Sequence, residues 1–93
     1  MTSILRVLLY YYMKAKIKYI EYLVNHLLAQ NSPEEMEKVL SDLLTASELD
    51  EVAKRLQIFE MLAAGVSQRQ IAENLGVGIA TVSRGANVLK NRQ

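Results

Sequence analysis

Residues 67–89 read SQRQIAENLGVGIATVSRGANVL. Ser67 can accept a hydrogen bond from the free amides at a helix start, and Gln70, three residues on, completes a capping box. Ile71 and Leu75 are four apart and face inward. Ala72 is small where two helices must approach closely. Gly76 permits the positive φ of a tight turn, and Val77 enters the core behind it. A second helix then runs from about Ile79 to Leu89, with Val82 inward. This spacing predicts a helix-turn-helix. A bulky side chain at position 72, or a β-branched one at 76, would spoil the crossing of the two helices. The plainer reading of the same residues is a helical hairpin with no role on DNA.

The second of these helices has the surface a groove reader needs. Gly78, Ile79, Ala80 and Thr81 stand at its N-terminal end, with Ser83 and Arg84 one turn on. Small residues let a helix enter the major groove. Thr81 and Ser83 can hydrogen-bond base edges or phosphate oxygens, and Ala80 can touch a thymine methyl. Gln68 and Arg69 are DNA-binding candidates on the first helix, where Arg69 can reach a guanine or the backbone, while Asn87, Lys90 and Arg92 follow on the second. Lys90 and Arg92 are placed to clamp phosphates. Each residue alone reads as ordinary surface; their clustering on one motif carries the functional reading.

Working outward, the remainder also reads as helix. From Met13, apolar residues recur at Ile17, Ile20, Val24 and Leu27, with Leu23 and Leu28 widening the stripe. Asn31 ends that helix. Ser32-Pro33-Glu34-Glu35 opens the next, with Ser32 as cap, Pro33 at the first helical position and Glu35 closing the box. Met36, Val39, Leu40, Leu43 and Leu44 give it an apolar side. Thr45 and Glu48 repeat the start signal for a third helix, which shows Leu49, Val52, Leu56, Phe59 and Leu62 on one side and is stopped by Gly65. No stretch alternates with the period of a strand. The expected architecture is all-α: an N-terminal dimerisation helix over residues 1–31, then a helix-turn-helix domain over 32–93. Met13, followed at once by Lys14, is an alternative start, and residues 1–12 carry none of the functional reading.

The chain has 93 residues, 51% hydrophobic and 23% charged, with four Gly, one Pro and no Cys. That is one small domain, close to the lower limit for standing alone, and a second copy would ease that limit. Disorder is excluded by the apolar content, and disulfides, thiolate zinc and cysteine nucleophiles by the absence of Cys. A single histidine, His26, makes neither a His-rich metal site nor a triad, and it reads as an interfacial or surface residue. No paired carboxylates or activated nucleophile can be assembled, so the chain is not expected to be an enzyme. The formal charge of +1 hides a division. Residues 1–30 carry four basic and one acidic side chain, residues 31–51 one basic and seven acidic, and residues 52–93 six basic and two acidic. Basic ends around an acidic middle point to a polyanion partner. The apolar run from Val7 to Met13 is too short to cross a membrane, and no cleavage site follows it, so a cytoplasmic location is expected.

The runs Ser67-Gln68-Arg69-Gln70 and Leu75-Gly76-Val77-Gly78-Ile79-Ala80-Thr81-Val82-Ser83-Arg84-Gly85, followed by Asn87, Leu89 and Lys90, resemble the Trp repressor family. Leu44-Thr45, Arg55, Ile58 and Glu60 extend the resemblance across roughly residues 34–91. It implies an intertwined, all-helical homodimer that binds a near-palindromic double-stranded operator, with half-sites about one helical turn apart. It also implies L-tryptophan as co-repressor, seated beneath the reading head. Arg55 and Arg84 would stack on the two faces of the indole, and Arg84 and Thr45 would hold the carboxylate. Backbone near Leu44 of the partner copy would receive the ammonium, and Gly85 would leave room for the ring. Two positions depart from the pattern. Val88 stands where tryptophan-binding members carry a hydroxyl, and Ala72 where they carry a basic DNA contact. The resemblance also stops short of the family's final helix. Residue by residue, Arg55 reads equally as a salt-bridge partner for the acidic segment. As a whole, the rival reading is a ligand-independent helical module that docks DNA within a larger assembly, using the N-terminal helix to bind protein.

Overall fold

The computed structural model describes residues 2–92, and among these there are five helices and no strand. They are α1 (Thr2–Leu28), α2 (Pro33–Leu43), α3 (Ala46–Ala63), α4 (Gln68–Leu75) and α5 (Ile79–Asn91). None is long and apolar enough to cross a membrane. The chain forms two compact units, residues 1–43 and 44–93.

The first unit holds α1 and α2. Its apolar residues are mostly exposed: Ile17, Ile20, Leu23, Val24 and Leu28 all face solvent within this chain. Tyr10, Tyr11 and Tyr12 are exposed too, with Lys14 Nζ 5.7 Å from the Tyr10 ring centroid and Lys16 Nζ 5.8 Å from that of Tyr12. His26 is a surface residue whose carbonyl accepts from Gln30 Nε2 at 2.8 Å. At the start of α2 the Ser32 hydroxyl accepts from the Glu35 amide at 3.1 Å. The Glu35 carboxylate reaches back one residue further than expected, to the Asn31 amide at 2.8 Å.

The second unit is a three-helix cluster of α3, α4 and α5. Its core is Ile58, Ile71 and Val82, one from each helix, and each is at most 1% exposed. Met61, Leu62, Val66, Ala72, Leu75 and Val77 pack around them half-buried. The expected apolar side of α3 is only partly used. Leu49, Phe59 and Leu62 are half-buried, whereas Val52 and Leu56 are exposed, and the fully buried anchor of α3 is Ile58. The helix therefore has two apolar stripes, and the one through Val52 and Leu56 is left unburied by α4 and α5.

The turns follow from local chemistry. Thr45 caps α3 in a complete box: its hydroxyl accepts from the Glu48 amide at 3.1 Å, and its amide donates to the Glu48 carboxylate at 2.9 Å. Gly65, at φ +86, stops the helix, with its own amide on Leu62 and the Val66 amide on Met61. This is the paired C-terminal closure that a left-handed residue permits. The expected box at Ser67 is only half formed. Its hydroxyl accepts from the Gln70 amide at 3.2 Å, but the Gln70 amide group turns away to donate to Asn74 Oδ1 at 2.8 Å.

Candidate nucleic-acid interface and the cavity behind it

α4 ends at Gly76, whose φ of +64 turns the chain while the Val77 amide reaches back to the Ala72 carbonyl at 3.1 Å. Gly78 then opens α5 with no side-chain cap, unlike Thr45 and Ser67 on the two preceding helices. The chain is thus bent between two helices, with Val77 half-buried on the shared core.

This bend decides what α5 presents. Val82 and Gly85 are buried, and Ser83, Ala86 and Leu89 are half-buried. Gly78, Ile79, Ala80, Thr81, Arg84, Asn87 and Lys90 are exposed, with Ile79 at 53% despite its apolar side chain. Gln68 and Arg69 are exposed on α4. Two of these residues serve each other: the Ser83 hydroxyl donates to Gln68 Oε1 at 2.8 Å and ties α5 to α4. Arg69 lies 3.6 Å from Glu73 in a solvent-exposed pair, which water screens and leaves weak.

Gly85 allows α5 to lie close on α3. A Cβ at this position would stand 2.7 Å from Ile58 Cγ2 and 3.7 Å from the nearest Phe59 ring carbon. Beside this contact, between α3 and α5, opens a cavity of about 760 Å³. Arg55 and Arg84 line it from opposite helices, with Gly85, Val88, Ile58, Phe59 and Val77 as apolar wall, and Thr81 and Gly78 at its edge. Asp50, Glu51, Lys54 and Ser47 complete the lining. The ion pairs among the described residues are Asp50–Lys54 at 3.0 Å and Arg69–Glu73, so neither Arg55 nor Arg84 has an acidic partner. Two guanidinium groups over an apolar wall suit a planar anion, by charge and by stacking.

Four of the expected ligand residues are therefore brought together: Arg55, Arg84, Gly85 and Val88. Leu44 and Thr45 are not on the cavity wall, and Thr45 is engaged as the cap of α3. Sequence reasoning did not place Phe59, Glu51 or Ser47 at the cavity. The signal was available, since Ser47, Glu51, Arg55 and Phe59 follow one another at four-residue steps and share a helix face. No group of metal-ligating side chains occurs among the described residues.

Comparison with known proteins gives a consistent result. The family model for Trp repressor protein matches residues 18–93. A Trp operon repressor homolog of Vibrio cholerae serotype O1 is 47% identical over 60 residues, covering 63% of this chain and 58% of that protein. One of Vibrio campbellii is 46% identical over 57 residues, covering 60% and 57%. One of Xylella fastidiosa (strain M23) is 36% identical over 72 residues, covering 76% and 78%. The chain spans less than two thirds of the length of the two Vibrio proteins it matches.

Proposed function

The chain belongs to the Trp repressor family, a regulatory and non-enzymatic family, and from that premise we propose that it is a sequence-specific DNA-binding transcriptional repressor. The carrying observation is the exposed run Ile79-Ala80-Thr81 at the uncapped N-terminus of α5, held outward by the turn at Gly76. An apolar residue kept at a helix start in solvent, beside a small and a hydroxyl residue, suits base edges and thymine methyls in a major groove. Free amides at that helix start suit phosphate. In this reading Gln68, Arg69, Ser83, Arg84, Asn87 and Lys90 hold the register through phosphates and neighbouring bases.

The functional form we propose is a cytoplasmic homodimer. Its support is the exposure of apolar side chains within each unit, Ile17, Ile20, Leu23 and Val24 on α1 and Val52 and Leu56 on α3, since exposed apolar faces commonly mark interaction surfaces. Two reading heads related by a twofold axis would bind a near-palindromic operator. α1 is then the dimerisation element, and the helix-turn-helix that follows reads DNA.

For the effector we propose L-tryptophan between Arg55 and Arg84, against Gly85 and Val88, with Thr45 beside Arg84 on the carboxylate and backbone near Leu44 of the partner copy receiving the ammonium. The ligand would favour the DNA-competent tilt of α5 by its differential affinity for that state. With valine at position 88 the amino group lacks a hydroxyl partner there, so a modest coupling is expected.

Selection of bound duplexes from random DNA, with and without L-tryptophan, tests both parts. Recovery of a near-palindromic site supports the regulator, and recovery of no preferred sequence removes it. A change in affinity below about twofold on adding L-tryptophan removes the co-repressor alone. The exposed stripe of α1 also fits the rival reading, a DNA-docking module of a larger assembly. A stable dimer of the isolated chain favours the repressor; a monomer that leaves α1 exposed favours the module.

A further inference from the structure

The two cations at the end of α5 are held differently. Lys90 is exposed and takes part in no ion pair among the described residues. Arg92, the C-terminal cap of α5, lies with its guanidinium carbon 5.4 Å from the centroid of the Phe59 ring. Phe59 directly follows Ile58 on α3, and Ile58 is the residue on which Gly85 rests. Adjacent residues of α3 thus meet two residues of α5 that are seven apart, the Phe59 ring bordering Gly85 as well as the Arg92 guanidinium that reaches back to it. At 1.5 Å per residue the backbones of Gly85 and Arg92 are about 10 Å apart along the helix axis. The reading residues Ile79–Thr81 lie four to six residues on the other side of Gly85, a comparable distance.

This is a lever. Gly85 on Ile58 is a close contact without a side chain to key it, so it can serve as a pivot. A tilt of α5 about that pivot moves Arg92 and Ile79 by similar amounts in opposite directions. The Ser83–Gln68 hydrogen bond ties α5 to α4, which travels with the reading head, whereas the Arg92–Phe59 contact ties α5 to α3.

We propose that Arg92 is a positioning residue for DNA recognition: its guanidinium clasps the Phe59 ring and sets the tilt of α5, and it does not bind phosphate. The inference rests on the DNA-binding reading above. It revises the expectation, drawn from charge alone, that Lys90 and Arg92 act alike. Phe59 also lines the cavity, so the clasp stands where an occupant would press on it.

The salt dependence of binding separates the two roles. A phosphate contact releases a counterion, so its loss lowers the slope of log affinity against log salt by about one; loss of a positioning contact leaves the slope unchanged. The full chain is titrated onto a duplex carrying the selected site and onto a scrambled duplex, across a salt series. Arg92→Ala is expected to weaken the selected site about two- to fivefold, the range of an exposed cation–π contact, at constant slope. The scrambled duplex should change less. Phe59→Leu should have a similar effect, the double variant should be no worse than the weaker single one, and Arg92→Lys should recover part of the loss. Lys90→Ala should lower the slope on both duplexes. A slope reduced by Arg92→Ala, additive losses in the double variant, or unchanged affinity for the selected site would each overturn the proposal. Failure of the unsubstituted chain to bind any duplex removes the DNA-binding reading itself, a separate outcome from normal binding that Arg92→Ala leaves intact.

Discussion

Gly85 and Gly76 are constrained in opposite ways, and single substitutions separate them. A methyl group at Gly85 meets Ile58 Cγ2 at 2.7 Å, and that atom belongs to a buried, β-branched side chain with little room to turn. Overpacking costs about 1–3 kcal/mol, against a gain of up to ~1 kcal/mol in helix propensity. Gly85→Ala should therefore lose about 1–2 kcal/mol in urea unfolding and displace α5 from α3. At Gly76 nothing lies within 4 Å of the added methyl, but φ is +64. Gly76→Ala should cost about 1 kcal/mol from backbone strain alone, with the interior undisturbed. On the outer face the expectation is reversed. Ala80 and Thr81 are exposed, so Ala80→Glu and Thr81→Ala should leave the unfolding midpoint in place. Both should weaken the selected DNA site, Thr81→Ala by the roughly 1–3 kcal/mol of a base contact and Ala80→Glu by more, since it sets a carboxylate against phosphates. Gel-shift titration beside urea melts checks the pair. A melt lowered along with binding would place these residues in the packing instead. The exposed half of this distinction was legible in the spacing of α5. Gly85 was not, because only the position of Ile58 on a different helix shows why a side chain is excluded there.

Among the elements, α3 shows most clearly where local signals suffice and where they stop. Its start is encoded within four residues: Thr45 and Glu48 satisfy each other's amides, and the spacing alone predicts it. The Thr45 amide, and after it the Thr45 hydroxyl, hold the Glu48 carboxyl below its ordinary value of 4.5. The sign follows. A depressed pKa in the folded state contributes stability that is present above pH 4.5 and is lost as pH falls through the lower, folded value. Glu48→Gln should therefore flatten the acid limb of a melting profile below that pH while changing little at neutrality. A profile parallel to that of the unsubstituted chain would count against the cap. Thr45→Ala should cost about 1 kcal/mol at neutral pH. Beyond its first turn, α3 is not decided by local pattern. Leu49, Val52, Leu56 and Phe59 make a convincing apolar side, yet the core takes Ile58 and leaves Val52 and Leu56 in solvent. Hydrophobic spacing identifies stripes; which stripe faces which neighbour is set by tertiary packing. The cavity shows the same limit: the family resemblance paired Arg55 with Arg84 and Gly85, but spacing alone did not, and Ser47, Glu51 and Phe59 were missed because the walls come from two helices far apart in sequence.

For the molecule as a whole, the question is what covers the apolar surface that one chain leaves in water. Leu56 is 57% exposed on α3, and Ile20 is 57% exposed on α1. In the second unit the buried hydrophobic side chains among the described residues are Ile58, Ile71 and Val82, a small interior for helices that display so much apolar side chain. A second copy of the chain would supply cover, and the same twofold axis would bring two α5 helices to one face of a duplex. Sedimentation equilibrium should then report twice the 10.5 kDa of the chain. Leu56→Lys and Ile20→Lys each set an ammonium into the surface that pairing would bury. Neither should disturb the α3–α4–α5 core, since neither residue belongs to it. Both variants should sediment closer to the single-chain mass. Their binding to a full palindrome should fall toward that of a half-site, because one reading head makes only half the contacts, and helical content should persist. If the unsubstituted chain is monomeric with α1 exposed, the duplex is read by one head. Selection should then return single half-sites without dyad symmetry, and the assembly that supplies the missing cover must be built from other proteins.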